Sequence, residues 1–401
     1  MSGPKPISES AAAKEVPHAI VSLSQHVIER MKQNRGVPNS TGMVACSAHQ
    51  DLQQPTVEYE RAVSAAPQTT LLAQGGYNDV WLVKSKLVRN DSTIISQPLN
   101  GSFILRVPNE DSLKPHQIRN EVGWLMYMAK HCPEIPVPAV YDYSDESGDG
   151  RPFIAEQYID AKSLADAWMT FSDAEKDIVA RKVAEMVVRL GEIRFDAIGG
   201  MTPHTILGPT VEGAKLFKGR DAYHDPICYD IGPYASIKQY ILAYFDKEIY
   251  YYSHADETML DQDLFEETTP NEFAQALKKK RACVEAELDA SPRAEPFVLC
   301  HNDLQGRNIL MRGTEIAAVI DWEFAGSFPL SELNSDGMEV LEMVDDETEE
   351  ECMQWSSKIS ELVEQVARER GWEESDIEPL ASGGDSTLQS VRVEMMPEVE
   401  D

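Results

Sequence analysis

The chain has 401 residues, enough to bury a full hydrophobic core and to form about two domains or lobes. Its formal net charge of −32 argues against a nucleic-acid partner, because a phosphate backbone requires a basic protein face. No apolar run reaches the ~18 residues of a membrane span and no signal peptide is recognisable, so we expect a cytoplasmic protein without a membrane partner.

Residues 1–66 are predicted to be an N-terminal extension, partly disordered, that contains one helix at 18–34. Within that helix five apolar residues recur at helical spacing, which favours packing of one face against a larger domain. They are Ile20, Leu23, Val27, Ile28 and Met31. The segment that follows, 36–55, is predicted to be a loop or disordered.

A glycine pair lies between two predicted strands. In residues 69–83, apolar β-forming residues flank Gly75 and Gly76, which predicts a strand, a turn and a second strand. Glycines let a backbone approach phosphates closely and present N–H donors to them. An ordinary hairpin turn has the same pattern, so both interpretations stay open.

A third strand at 102–107 and a helix at 117–128 each contain one charged residue of interest. Arg106 lies near the end of the strand, and Glu121 lies among apolar residues at helical spacing. An ion pair between them would be either part of a binding site or an ordinary surface pair.

The rest of the chain is predicted to be mainly helical after one further strand pair. That pair is 139–143 and 152–159, and helices are expected between 161 and 290, around a glycine- and proline-rich loop. A last helix is expected at 352–370. Residues 371–401 are predicted to be an acidic, disordered tail.

Residues 297–308 contain the most informative motif, H-x-D-x4-N, and a later apolar strand ends in another aspartate. Asp303 has the chemistry of a base that accepts the proton of an attacking hydroxyl. Asn308 and Asp321 supply oxygen ligands that suit Mg²⁺ bound to nucleotide phosphates. Each residue alone also suits a turn or a strand end, but the three together at this spacing favour phosphoryl transfer.

These segments resemble a known group of enzymes. HNDL at 301–304, NIL at 308–310 and IDWEFAG at 320–326 are similar to the aminoglycoside phosphotransferase and choline kinase-like family, in the style of its fungal branch. That family belongs to the protein-kinase-like superfamily. Protein kinases themselves have H-R-D and D-F-G at these places. Here Asn302 replaces the arginine and Trp322-Glu323 replaces Phe-Gly, which argues against a protein kinase.

The resemblance implies an α+β, two-lobed protein-kinase-like fold, with a small β-rich lobe at 67–157 and a larger helical lobe at 158–370. It also implies an ATP-dependent kinase that phosphorylates a hydroxyl of a small molecule, with ATP and Mg²⁺ as cofactors. The resemblance implies that Asp303 and Asn308 are catalytic and that Asn308 and Asp321 bind the metal. It implies that the nucleotide phosphates are bound by Gly75, Gly76, Arg106 and Glu121, and that backbone atoms near Glu156 and Tyr158 contact the adenine.

Two other interpretations remain. Arg106 stands where kinases have a lysine, the glycine turn departs from G-x-G-x-x-G, and the part of the chain after the metal aspartate is short. These departures favour an inactive nucleotide-binding scaffold. A protein kinase is the other alternative.

Overall fold

The structure is a computed structural model that describes residues 17–33, 66–85, 101–145, 151–213, 220–254, 265, 268–335, 337–384, 386–390 and 395–397. The segment at 36–55 that was predicted to be a loop lies outside these residues. Among the described residues, no helix is both long and apolar enough to cross a lipid bilayer.

A five-stranded antiparallel sheet forms the N-terminal lobe. Its strands, in the spatial order β1-β2-β3-β5-β4, are β1 (Gln68–Gln74), β2 (Asn78–Lys84), β3 (Ser102–Pro108), β4 (Val140–Ser144) and β5 (Phe153–Gln157). Helix α1 (His18–Gln33) covers one face, where Val27 and Ile28 pack with Phe103 and Leu105. Because neighbouring residues of a strand point to opposite faces, Arg106 lies on the other face of the sheet.

Helix α2 (His116–His131) lies on that second face. Its Ile118 and Val122 pack against Ile154 of β5, the residue that pairs with Arg106 of β3. This packing places Glu121 beside Arg106 on the inner side of the lobe. The helices predicted at 18–34 and 117–128 are therefore both present.

The C-terminal lobe is mainly helical. Its helices are α3 (Leu164–Trp168), α4 (Asp173–Gly191), α5 (Ile237–His254), α6 (Pro270–Ala290), α7 (Asp346–Glu369), α8 (Glu374–Ser382) and α9 (Ser386–Ser390). Its short strands are β6 (Lys162–Ser163), β7 (Arg194–Phe195), β8 (Gly200–Met201), β9 (Leu207–Gly208), β10 (Phe297–Cys300), β11 (Ile309–Arg312), β12 (Glu315–Val319) and β13 (Gly326–Pro329). Capping boxes at Ser172 and Thr269 begin α4 and α6. The predicted α+β, two-lobed fold is confirmed.

The end of the chain corrects the prediction of a disordered tail from residue 371. Helix α8 ends at Ser382 and is followed by Gly383, which has the left-handed conformation common after helices, and then by the short helix α9. Ile377, Leu380 and Leu388 are fully buried in the large core of the C-terminal lobe. Their burial offsets the cost of ordering a segment that composition alone marks as disordered.

Helix α7 also begins earlier than predicted, at Asp346 rather than 352. Asp345 and Thr348 form a capping box that satisfies the free N–H groups of the first turn. The apolar periodicity starts only at Cys352, so a prediction from apolar spacing misses the polar first turn.

We expect Leu380→Ala to lower the free energy of unfolding by about 2–5 kcal/mol, the usual cost of a cavity left by a buried leucine. Urea unfolding, followed by circular dichroism, measures this change. Glu378→Ala is the matched control, because Glu378 lies in the same helix and is exposed. Equal effects of the two substitutions would show that α8 does not contribute to the core.

Candidate active site

The loop after β10 begins with a buried histidine. His301 donates a hydrogen bond from Nε2 to the carbonyl of Ile320 at 3.0 Å, and its ring packs on Trp322 with centroids 4.7 Å apart. Burial lowers the pKa of His301 to about 4, so the imidazole is neutral at physiological pH. His301 therefore joins this loop to the segment that contains Asp321.

Asn302 occupies the left-handed region with φ of 61°, which asparagine tolerates better than most residues. Its side-chain amide donates to the carbonyl of Phe324 at 3.1 Å. Two separate hydrogen bonds, from His301 and Asn302, thus fix the loop against residues 320–324. Asp303 follows directly after this turn.

Both carboxylate oxygens of Asp303 have a partner. Arg307 forms an ion pair with Oδ1, and Asn308 donates from Nδ2 to Oδ2 at 2.9 Å and to the Asp303 carbonyl at 2.7 Å. Burial, and then the charge of Asp321, raise the pKa of Asp303 to about 6, although Arg307 acts in the opposite direction. The side chain is 25% exposed, so it is oriented but still accessible.

Asn308 and Asp321 lie at the same end of the hairpin formed by β11 and β12. Ile309 pairs with Val319, and the N–H of Ile320 donates to the carbonyl of Asn308 at 2.9 Å. Asp321 has φ of 68°, a strained conformation for a residue with a side chain. The structure thus brings together the three residues that the H-x-D-x4-N motif and the later aspartate predicted.

Arg106 links the two lobes at this place. It binds Glu121 Oε1 at 2.8 Å through Nη1 and Asp321 Oδ1 at 2.6 Å through Nη2. The Arg106 and Glu121 side chains are only 7% and 2% exposed, which rules out the alternative of an ordinary surface ion pair. Burial raises the pKa of Glu121 well above its ordinary range, against the effect of Arg106.

Two further carboxylates complete what we call the acidic cluster, Glu121, Glu156, Asp321 and Glu323 around Arg106. Glu156 of β5 is buried and lies opposite Ile104, on the face of the sheet that bears Arg106. Sequence reasoning placed only its backbone near the nucleotide; the structure adds its side chain to the site. Tyr158 lies just beyond β5, with its hydroxyl 3.5 Å from Asp160.

Glu156 makes protein stability depend on pH. Burial raises its pKa to about 7, with Arg106 opposing, whereas a glutamate in the unfolded chain has a pKa of about 4.3. The folded state therefore binds more protons between these values, and stability falls as pH rises through that window. We expect Glu156→Gln to flatten this fall in urea unfolding from pH 5 to 8. An unchanged slope would place the titrating group elsewhere.

The turn between β1 and β2 is held by several contacts. The N–H of Gly75 donates to the Asn78 carbonyl at 2.8 Å, and a Cβ at Gly75 would lie only 3.0 Å from that oxygen. Asn109 donates to the Gly76 carbonyl at 3.0 Å. The Tyr77 hydroxyl donates to the Gly213 carbonyl, and its ring contacts Phe324. The glycine turn therefore touches the C-terminal lobe.

A family model described as the phosphotransferase enzyme family, APH, matches residues 70–332. The chain belongs to this family. The match begins in β1 and ends just after β13, so it includes the glycine turn, Arg106, Glu121 and the loop of Asp303.

Curated relatives of this chain match over a shorter stretch. A subtelomeric hrmA-associated cluster protein of Aspergillus fumigatus is 25% identical over 138 residues, 34% of this chain and 25% of its own length. Altered inheritance of mitochondria protein 9 of Candida glabrata is 27% identical over 124 residues, 25% of this chain and 19% of its own. The matches thus span about a quarter of the relatives' length or less.

Solved structures with a similar fold include two aminoglycoside phosphotransferases. APH(4)-Ia in a ternary complex with ADP and hygromycin B is 16% identical with a TM-score of 0.42, covering 81% of this chain and 93% of that one. APH(2'')-IIa with streptomycin and ATP is 16% identical with a TM-score of 0.44, covering 78% of this chain and 80% of that one.

The side-chain oxygens of Asn308 and Asp321 suit a magnesium ion that a nucleotide also binds. Asn308 donates from Nδ2 to Asp303, so the Oδ1 atom of Asn308 can act as a metal ligand. The Asp321 side chain is 29% exposed. Hard oxygen ligands of this kind suit Mg²⁺, which keeps phosphate and water in its other positions. Within the part of the chain that the structure describes, no three His, Cys, Asp or Glu side chains form a metal cage.

Proposed function

We propose that this chain is a phosphotransferase, an ATP-dependent kinase that phosphorylates a hydroxyl group of a small molecule. The observation that supports this most is the convergence of Asp303, Asn308 and Asp321 on one side of Arg106. We further propose that residues 67–157 bind the nucleotide and that residues 158–370 supply the catalytic and acceptor-binding groups.

Asp303 is proposed to accept the proton of the acceptor hydroxyl. The hydroxyl oxygen forms a bond to the γ-phosphorus, the bond from that phosphorus to the bridging oxygen breaks, and ADP leaves. Arg307 and Asn308 each hold one carboxylate oxygen, so Asp303 keeps one orientation while the acceptor approaches. This arrangement gives Asn308 two roles, at the base and at the metal.

Asn308 and Asp321 are proposed to hold Mg²⁺, which when bound would neutralise charge on the nucleotide phosphates. Arg106, held by Glu121, is proposed to bind those phosphates below the turn of Gly75 and Gly76. Backbone groups near Glu156 and Tyr158 are proposed to meet the adenine. The solved relatives named above are bound to ADP or ATP, which supports a nucleotide for this chain.

One observation favours the alternative of a nucleotide-binding scaffold that transfers nothing. Nη2 of Arg106 binds Asp321 at 2.6 Å, so the arginine occupies one oxygen of a proposed metal ligand. Arginine binds carboxylates through a planar fork and exchanges partners less readily than lysine does. In the active kinase, this contact has to open when the metal and nucleotide bind.

The test is Mg²⁺-dependent ATP turnover by the purified protein against a panel of aminoglycosides, choline, ethanolamine, amino sugars and hydroxylated amino acids. A kinase produces ADP faster with one compound and yields that compound in phosphorylated form. The Asp303→Ala variant should lack this activity. ATP binding without phosphoryl transfer to any hydroxyl compound would support the scaffold instead.

A further inference from the structure

One carboxylate oxygen of Glu323 receives hydrogen bonds from three different elements. Asn78 donates to Oε2 at 2.6 Å, Gln117 donates at 2.8 Å, and Arg106 lies at 3.3 Å. These donors come from β2, α2 and β3, whereas Glu323 follows Asp321 in the C-terminal lobe. Glu323, Asn78 and Gln117 are all buried, with 4%, 8% and 2% of their surface exposed.

Asn78 is the residue that ties the glycine turn to this carboxylate. It begins β2, directly after the turn, and its carbonyl accepts the hydrogen bond from the Gly75 N–H at 2.8 Å. The same residue thus closes the turn through its backbone and contacts the C-terminal lobe through its side chain. A shift of Glu323 would move the turn with it.

The backbone of Glu323 is fixed as well. Asn120 of α2 donates from Nδ2 to the carbonyls of Glu323 at 2.9 Å and Ala325 at 2.8 Å. The other end of that amide accepts from the N–H of Met201 at 2.7 Å. The segment after Asp321 is therefore fixed relative to the N-terminal lobe through both its backbone and the Glu323 side chain.

These contacts make Oε2 of Glu323 a poor site for a metal ion. An oxygen that already accepts from two amides and faces a guanidinium has its lone pairs engaged, and the donors would repel a cation placed there. The Asp321 side chain, in contrast, is 29% exposed. A buried carboxylate with several hydrogen bonds is typical of a residue that orients its neighbours.

We propose that Glu323 is a positioning residue which, through Asn78, holds the glycine turn at a fixed place relative to Asp321. The inference rests on the proposed function in one respect, that the turn covers nucleotide phosphates. The pair pre-organises the phosphate site, so its loss weakens nucleotide binding whether or not Mg²⁺ is present. Proton transfer by Asp303 does not depend on it.

The first experiment measures the Kd of ATP by titration calorimetry, once with Mg²⁺ and once with EDTA, for Glu323→Ala, Asn78→Ala and the double variant. We expect each single variant to weaken binding about tenfold under both conditions, as for loss of one buried hydrogen bond. The double variant should be about as weak as either single one, because both remove the same contact.

The matched control is Gln74→Ala. Gln74 lies at the other end of the turn and donates to Asp79 at 3.4 Å, but it is exposed and does not contact Glu323. Its Kd should equal that of the wild type. The proposal is wrong if Glu323→Ala weakens binding only with Mg²⁺ while Asn78→Ala has no effect, because that result would make Glu323 a cation ligand.

A second measurement needs no nucleotide. Amide hydrogen exchange, read by mass spectrometry over the peptide that contains Gly75, should be faster in Asn78→Ala and in Glu323→Ala than in the wild type and Gln74→Ala. Asn78→Asp, which sets two carboxylates against each other, should exchange faster still. Unchanged exchange in all variants would overturn the positioning role. If the wild type binds no ATP but these differences appear, the proposed function fails while the positioning role holds.

Discussion

Replacing Asp303 by asparagine will reduce phosphoryl transfer by about 10²–10⁴-fold, the usual contribution of a general base. Asparagine keeps the size of the side chain and can still accept the hydrogen bond from Asn308. It cannot take up the proton of the acceptor hydroxyl. The effect should therefore appear in kcat, with the Kd of ATP nearly unchanged, because Asp303 contacts neither Arg106 nor the glycine turn among the described residues.

The measurement is ADP formation in the presence of the acceptor that the panel identifies, together with calorimetry for ATP. Asp177→Asn is the matched control, since it makes the same chemical change at an exposed residue of α4 that pairs only with Lys358 among the described residues. Wild-type turnover by the Asp303→Asn variant would show that another group accepts the proton. Loss of ATP binding would mean that Asp303 organises the nucleotide site.

The second large effect is expected from Asp321→Asn, which should weaken Mg-ATP binding by about 100-fold or more, since a bound metal contributes several kcal/mol. Burial raises the pKa of Asp321, but Arg106 outweighs it and keeps that pKa below the ordinary value. The carboxylate is therefore ionised at neutral pH and able to bind a cation. A neutral amide is a weaker ligand for Mg²⁺.

The same variant should leave binding of ATP in EDTA as strong as in the wild type. Asp321 holds Nη2 of Arg106 at 2.6 Å, and loss of its charge frees that group for a phosphate. Calorimetry with Mg²⁺ and with EDTA measures both values. Equal weakening in both conditions would show that Asp321 supports the structure of the site rather than a cation, and no weakening in either would place the metal elsewhere.

Local signals in the sequence were sufficient for many elements. Helix α1 follows from apolar residues at helical spacing, and the hairpin of β1 and β2 follows from β-forming residues around Gly75 and Gly76. The motif at 301–308 and the strand ending at Asp321 indicated the site because its chemistry requires those residue types in short segments. Spacing along one chain segment is sufficient to recognise such features.

Other features depend on residues that are far apart in the chain. The contact of Asn78 with Glu323 joins residues 245 positions apart, and no local pattern marks either one as the partner of the other. Glu156 lies on a short strand whose sequence does not show which face is buried. Its place in the acidic cluster follows from pairing with β3, which puts its side chain on the face of Arg106.

The sequence by itself determined the family, the two-lobed fold and the residues of the H-x-D-x4-N motif, because these depend on residue types at short, regular spacings. Only the tertiary structure decided that Arg106 binds both Glu121 and Asp321 and that Glu323 accepts a hydrogen bond from Asn78. It also decided that residues 374–382 form a helix with buried residues. Hydrogen bonds between distant segments and burial against a core depend on where the chain returns in space. The composition of a single segment does not show which distant segment it will contact in the folded protein.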